Sequence, residues 1–389
     1  MALWSREAFD AAFLLVLADL VGKEGRAAEM EQVITLKLKL YEPTQVKREM
    51  YQVMAGRVTE FANWYLNLPL GERPKTSKGA KEISERLPSC VLCHAIRDIK
   101  SKPRAKRFKR LWPAFSYQNF RVEKELSGNG GAVWKASFPT LEKRVGVPIV
   151  VQPYQERYLN LLLSGGAKQG SARLVKSGKN WHVHLSLTVT VEQKQRPERV
   201  MGIDLGLIDL LVASAGGRTR FFSGAWLAYI RRHYADLRRS LQKAGANRAL
   251  KKLGDREHRW VTDMNHKISR AVIEFALLHG VTKIRVEDLT GVRWTGKQRK
   301  KQRQDHGKGL HCWPFYQLQQ FIAYKANLAG IEVEYVNRDK TSLTCSRCGE
   351  TLKSRPSGRW FACPRCKRTK HIDVNAADNV AQAISGLAA

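Results

Sequence analysis

Three acidic positions in this 389-residue chain stand where metal chemistry would want them. Asp204 lies in Gly-Ile-Asp-Leu-Gly; Glu287 and Asp288 close the apolar run Val-Thr-Lys-Ile-Arg-Val; Asp373 opens Asp-Val-Asn-Ala-Ala-Asp-Asn. Carboxylates brought together repel and raise one another's pKa until cations neutralise them. Two magnesium ions roughly 3.5–4 Å apart, or manganese in their place, would do so, activate water and stabilise the leaving oxygen of a phosphodiester. Chemistry alone does not choose between Glu287 and Asp288. Taken singly, each acid also reads as a cap or an ion-pair partner.

Directly before Asp373 stand Cys345-x-x-Cys348, fourteen residues, then Cys363-x-x-Cys366. Each pair forms a knuckle and the two together complete a tetrahedron, so the expected metal is a structural zinc with no position left for water. Lys353, Arg355, Arg359, Arg365, Lys367, Arg368 and Lys370 clothe this module and suit a nucleic-acid strand led toward Asp373. Cys90-Val-Leu-Cys93-His94 spells the c-type haem pattern, which requires export and a ligation pathway that nothing else in the chain supports. Buried thiols are expected there, with a second metal site as the alternative; Cys312 reads as an interior cysteine.

The composition points the same way. Against 35 Asp and Glu there are 68 Lys and Arg, a formal charge of +33 that would concentrate polyanions at the surface. Residues 97 to 110 hold eight cations and one acid, among them Arg104, Lys106, Arg107, Lys109 and Arg110, and Trp112, Phe115, Tyr117 and Phe120 follow. Such interleaving grips phosphates and stacks on bases, or else is a charged helix face followed by ordinary core. A second basic run, 293 to 303, carries Arg299, Lys300 and Lys301 with no acid. Asp10 and Asp19 interrupt the apolar residues 9 to 22, which therefore read as an amphipathic helix and not as a signal peptide. No transmembrane segment is expected. Seven cysteines, four in tight pairs, suit a reducing cytosol with metal rather than a disulfide framework.

These groups need elements to hold them. Residues 32 to 44 alternate as a strand ending at Pro43, and 45 to 67 return to helical spacing, with Val46, Met50, Val53, Met54, Val58, Phe61 and Trp64 on one stripe. From 116 to 191 the pattern is strand-like, including Arg157–Gly165 and 180 to 192, with Gly-rich turns at 128 to 131 and 164 to 170. This predicts a small antiparallel barrel or sandwich that also takes in the strand at 32 to 41. His182 and His184 share one strand face and are expected toward solvent or RNA. Beyond a polar linker at 193 to 199, residues 199 to 224 read as strand, turn, strand, Gly-Gly turn, strand, the opening meander of a ribonuclease H-like fold with Asp204 near the middle of its first strand, although Gly-Ile-Asp-Leu-Gly also occurs in sugar-kinase and actin-like folds. Helices over 225 to 279, a strand at 281 to 291, a helix and strand over 315 to 337, and a last helix from 372 complete it, the three acids falling on strand one, strand four and that helix. Ala376, Ala377, Val380 and Ile384 should pack that helix on the sheet.

Gly-Ile-Asp-Leu-Gly, Val-Glu-Asp-Leu, Thr-Ser-Leu-Thr-Cys-Ser-Arg-Cys-Gly with Cys-Pro-Arg-Cys, and Asp-Val-Asn-Ala-Ala-Asp-Asn, in that order, resemble the TnpB proteins of insertion sequences and the related miniature type V CRISPR effectors. The motifs cover 200 to 384 closely. The resemblance implies a multidomain α+β fold: a split wedge β-barrel with a helical recognition insertion, then an RNase H-like (RuvC) α/β domain with an inserted zinc ribbon. It divides the chain into an N-terminal helix extension (1–30), a first barrel strand (31–43), a recognition domain (44–115), the rest of the barrel (116–192), a linker (193–198), the nuclease domain (199–340), a zinc-ribbon module for target nucleic acid (341–370) and the end of the nuclease domain (371–389). It selects Asp204, Glu287 and Asp373 as the catalytic, magnesium-holding triad, with Cys345, Cys348, Cys363 and Cys366 on zinc. The implied partners are a guide RNA, transposon-derived or CRISPR, and double-stranded target DNA, with no membrane and a monomeric or homodimeric protein. The family usually has Asp-Arg before its last catalytic Asp, where this chain has His371 and Ile372.

The implied activity is RNA-guided cleavage of DNA. The alternative is a guided, non-cutting, repressor-like binder, which loss of a triad acid would favour. A strand-joining transposase is disfavoured because such enzymes order their acids Asp, Asp, Glu.

Overall fold

The computed structural model describes residues 29–80, 87–126, 132–192, 197–206, 208–289, 313–337, 341–354, 356 and 358–383. The amphipathic stretch 9 to 22, Arg299, Lys300, Lys301, Cys312, Arg355 and Ile384 lie outside them. Two compact units divide at Thr190/Val191.

In the first unit, β1 (Glu29–Leu40) begins before the expected strand and buries Leu36, Leu38 and Leu40 by simple alternation. It lies centrally in a seven-stranded sheet of order β2-β6-β7-β1-β5-β4-β3. The others are β2 (Ala114–Phe115), β3 (Arg121–Leu126), β4 (Ala132–Pro139), β5 (Arg144–Val150), β6 (Ala167–Ser177) and β7 (Asn180–Glu192). Helix α1 (Gln45–Asn67) starts at Thr44, whose hydroxyl accepts from the Lys47 N–H, and buries Tyr51, Met54, Ala55, Val58, Phe61, Ala62 and Tyr65. The expected stripe was therefore rotated. Val46 and Val53 face water, because Tyr51 and Tyr65 carry more apolar area into the core than either valine would. Helix α2 (Ser89–Lys100) follows.

Within the stretch Arg157–Gly165 read as strand, Arg157–Leu163 is helix and the last two residues are turn. Pro153 pre-sets the first turn of α3 (Pro153–Leu163), and Gln155 closes a capping box with Gln152, so local capping outweighs the leucine run. The turn read at 164 to 170 ends at Gly166; Gly170 lies inside β6 beside a bulge, where a Cβ would meet the Ser186 backbone oxygen at 3.2 Å. His182 and His184 are half-buried on the face of β7 opposite the fully buried Val183 and Leu185. Nδ1 of His182 and Nε2 of His184 have no hydrogen-bond partner among the described residues, and burial, with Lys37 nearby, holds both imidazoles below the usual histidine range.

The second unit is built on a five-stranded sheet of order β10-β9-β8-β11-β12. Its strands are β8 (Val200–Asp204), β9 (Asp209–Ala215), β10 (Arg218–Ser223), β11 (Lys283–Glu287) and β12 (Glu332–Val336). The first three form an antiparallel meander turning at Gly216 and Gly217, both with positive φ, while β11 runs parallel to β8 and to β12. Every residue of β9 is buried. Helices α4 (Ala225–Lys243), α5 (Asn247–Leu253) and α6 (Arg256–Leu278) precede β11; α7 (Phe315–Leu328) packs on α6 through Val261, Ile268 and Val272 against Leu318 and Ile322. Helix α8 (Ile372–Gln382) lies on β8 and β9 and buries Ala376, Ala377 and Val380 as expected. No described helix is long and apolar enough to cross a membrane.

Candidate functional site

Asp204 is the last residue of β8, not a mid-strand residue. The parallel register pairs Ile203 with Val286, so Asp204 and Glu287 are the next residues along neighbouring strands. Glu287 is 4% exposed; its carboxylate accepts from Thr341 Oγ1 at 2.7 Å and its carbonyl from Gln319 Nε2 at 2.7 Å. Asp373 is in the first turn of α8, where an acid also suits the helix dipole. That helix reaches the sheet because Gly202 has no side chain: a Cβ there would lie 1.9 Å from the Ala377 oxygen and 2.5 Å from the Ala381 nitrogen. Ser214 Oγ donates to Asp378 Oδ1 at 2.6 Å, and Arg285 donates to the Ala381 oxygen at 2.7 Å while pairing with Glu334, fixing both flanks.

Among the described residues, two groups of metal-capable side chains have ligand atoms all within 4.8 Å of one another. One is Asp209, His371 and Asp373, so Asp373 is grouped with two residues that the motifs do not mark as ligands; Asp204 and Glu287 belong to neither group. Asp209 is 7% exposed and is ion-paired by Arg359, whose Nε also donates to His371 Nε2 at 3.1 Å. His371 Nδ1 accepts the Asp373 N–H at 3.3 Å as the helix cap, so the residue that departs from the family pattern organises the start of α8. A neutral imidazole carries a proton on one nitrogen, so the two contacts alternate.

The second group is Cys345, Cys348, Cys363 and Cys366. Sγ–Sγ separations of 3.7 Å (Cys345–Cys366) and 3.6 Å (Cys348–Cys363) fit four thiolates around one tetrahedral ion. The N–H groups of Cys366 and Arg365 pull the Cys363 thiol down to about 7, while burial and the neighbouring sulfurs push the Cys348 thiol up to about 11. A short ribbon, β13 (Trp360–Ala362) with β14 (Thr369–His371), carries the second knuckle, and Phe361 fills its small core. Asn375 and Asn379 tie this module to α8: Asn375 accepts the Ser346 N–H at 2.9 Å and donates to the Thr344 oxygen at 2.7 Å, and Asn379 donates to the Thr341 and Thr344 oxygens.

The basic positions divide. Arg104, Lys106, Arg107, Lys109 and Arg110 are exposed, but Phe115 and Phe120 are fully buried core and Trp112 packs against that core, leaving Tyr117 as the exposed ring of the four. Arg365 is exposed; Arg359 is engaged with Asp209 and Lys370 with Asp378. Cys90 is half-buried and Cys93 exposed, so the pair is not buried thiols, and with His94 it forms no such metal-capable group among the described residues. His94 is buried on α2, and burial pushes its imidazole down.

Residues 315–380 match the family model described as the Cas12f1-like TNB domain, and residues 182–293 match one described as a probable transposase, OrfB_IS605. A TnpB-like protein of Methanocaldococcus jannaschii is 31% identical over 253 residues, 61% of this chain and 86% of the relative. A CRISPR-associated endodeoxyribonuclease Cas12f1 of Sulfoacidibacillus thermotolerans is 26% identical over 261 residues, 62% of this chain but 60% of that protein. Among solved structures, a Cas12f1–sgRNA–target DNA complex has a TM-score of 0.58 at 13% identity, covering 91% of this chain and 99% of that one. The mini-RNA-guided endonuclease CRISPR-Cas_phi3 has a TM-score of 0.55 at 11% identity, covering 98% and 97%. At such identities the structural likeness concerns the fold.

Proposed function

Because the chain belongs to the TnpB family, we propose that it is an RNA-guided endonuclease hydrolysing phosphodiester bonds of guide-matched double-stranded DNA in a RuvC-like site. The strand order of the second unit, an antiparallel meander followed by parallel β11 and β12, supports an RNase H-like reading, and the seven-stranded sheet of the first supports a wedge barrel. One observation carries the site: Asp204 and Glu287 end adjacent parallel strands while α8, bearing Asp373, lies on the first of them.

In this reading Asp204, Glu287 and Asp373 hold two magnesium or manganese ions, whose chemistry is to activate water and stabilise the leaving oxygen. Oxygen donors in this number suit hard divalent cations. The chain's residues do the rest. Thr341 and Gln319 fix Glu287, the His371 cap fixes the first turn of α8, and the four cysteines close on structural zinc beside it. Pairing with the guide supplies sequence specificity, and Arg104, Lys106, Arg107, Lys109, Arg110 and Arg365 supply sequence-independent phosphate contacts.

The second reading, a guided binder that does not cut, is favoured by one observation: Asp373 groups with Asp209 and His371 rather than with the other two acids. Co-expression with flanking RNA decides. The protein should carry that RNA, cut a matching plasmid in magnesium, and after Asp204→Ala bind without cutting. Wild type that binds and does not cut supports the second reading; failure to retain RNA overturns both.

A further inference from the structure

Two large aromatic side chains beside Asp373 do no work in the core. Trp360 is 63% exposed and Phe221 is 44% exposed, and neither packs into a hydrophobic cluster of the unit. Alternation along each strand explains how they come to point outward. In β13 the neighbour Phe361 fills the ribbon core and turns Trp360 to the other side; in β10 Phe222 packs on the sheet core and turns Phe221 away from it. Both flank the same residue. His371 is edge-on to Phe221 with ring centroids 5.1 Å apart, and Trp360, its cross-strand partner, lies 6.0 Å away on centroids. A His371 nitrogen in turn lies within 4.8 Å of an Asp373 carboxylate oxygen.

We propose that Phe221, His371 and Trp360 form an aromatic ledge on which unpaired bases of a single DNA strand stack, holding that strand at Asp373. Resting on the nuclease reading, it assigns Phe221 and Trp360 as positioning residues for that strand, since only an unpaired base offers a free face to a ring. The charge around the ledge selects a polyanion over an apolar protein partner. Exposed Arg365 lies in the same ribbon and exposed Arg218 stands on β10 three residues before Phe221, while Arg359, which contacts His371, offsets the Asp209 carboxylate. Stacking tolerates any sequence because every base has a π-face, as a guided enzyme requires.

The test uses the guide-loaded protein with calcium in place of magnesium, and measures fluorescence-anisotropy affinity for a short single-stranded DNA across a salt series. Trp360→Ala and Phe221→Ala should each bind about tenfold more weakly. Stacking neutralises no phosphate, so the slope of log Kd against log salt should stay as in wild type. Trp360→Phe and Phe221→Tyr should restore binding. An oligonucleotide with abasic positions should cost wild type the same factor and cost Trp360→Ala nothing more. Unchanged affinity of the alanine variants, a shallower salt slope, or the same alanine penalty on abasic DNA each overturns the ledge. Bound zinc and the melting temperature show whether Trp360→Ala disturbs the ribbon; if it does, Phe221→Ala, outside the ribbon, decides. Plasmid cutting with alanine variants that bind like wild type sinks the ledge alone; single-strand binding that responds to them without plasmid cutting sinks the nuclease reading alone.

Discussion

The carbonyl oxygen of Ala377 occupies the place where Gly202 would carry its side chain, 1.9 Å from an ideal Cβ. Helix α8 therefore lies against β8 by backbone contact, and the glycine before Ile203-Asp204 sets how near Asp373 comes to that strand. Gly202→Ala must push the helix off. Overpacking of this kind costs about 1–3 kcal/mol, and a backbone neighbour has little room to give, so the upper end is expected. At about 2–4 °C per kcal/mol for a unit of this size, the thermal midpoint should fall by roughly 6–12 °C. Calorimetry checks this, and a metal-binding titration of the folded variant should show weaker divalent-cation affinity.

Asn375 joins α8 to the cysteine module through two hydrogen bonds made by a side chain that is 2% exposed. Asn375→Ala leaves the Ser346 N–H and the Thr344 oxygen without that partner, a loss of about 2–3 kcal/mol. Asn375→Asp keeps the acceptor for Ser346 but presents an oxygen to the Thr344 oxygen, so it should not rescue. Urea unfolding of the three proteins gives the order. On the proposal that the four cysteines hold zinc, a chelator should loosen the same seam, read as protease sensitivity within 341–371, because the knuckle that Asn375 grips would fold around the metal.

Much of this was legible in the sequence. Strand, turn and helix patterns place Asp204, Glu287 and Asp373 on β8, β11 and α8, since those elements are apolar on the faces they bury. Asp209 was not legible. It begins β9, far in sequence from His371, and only the folding of the ribbon back over β10 brings Arg359 to it. Arg157–Leu163 misled because four leucines in a short span fit a buried strand and a helix equally well, and the decisive signal was the quiet pair Gln152 and Gln155 around Pro153. Phe115 and Phe120 misled because proximity to cations in sequence says nothing about which way a ring points.

Lys325 sits between α6 and α7, with Nζ donating to the His266 oxygen at 2.7 Å and to Ser269 Oγ at 2.5 Å. Burial, aided by Arg270, holds its amine down to about 7, against 10.5 for an exposed lysine. Between those two values the unfolded chain binds more protons than the folded one, so this residue makes stability rise with pH across that window, by at most about 1.4 kcal/mol per pH unit. Below pH 7 both states are protonated and the full cost of burying the charge is present. Lys325→Met should therefore stabilise at pH 6 and lose its advantage by pH 10, measured as urea midpoints at each pH.

The Arg359–Asp209 pair makes opposite demands on its two members. Asp209 is buried, whereas the Arg359 side chain is 50% exposed. Arg359→Ala strands a carboxylate close to the Asp373 carboxylate, so like-charge repulsion adds to lost pairing. A fully buried pair broken in this way costs about 3–5 kcal/mol; with one partner half in water, about 2 kcal/mol is expected. Asp209→Asn removes that negative charge and frees an exposed arginine to the solvent, so it should cost less, and the double variant should be more stable than Arg359→Ala alone. A double-mutant cycle in urea measures the coupling. A double variant no more stable than Arg359→Ala would mean that Arg359 acts on the ribbon through His371 instead of by neutralising Asp209.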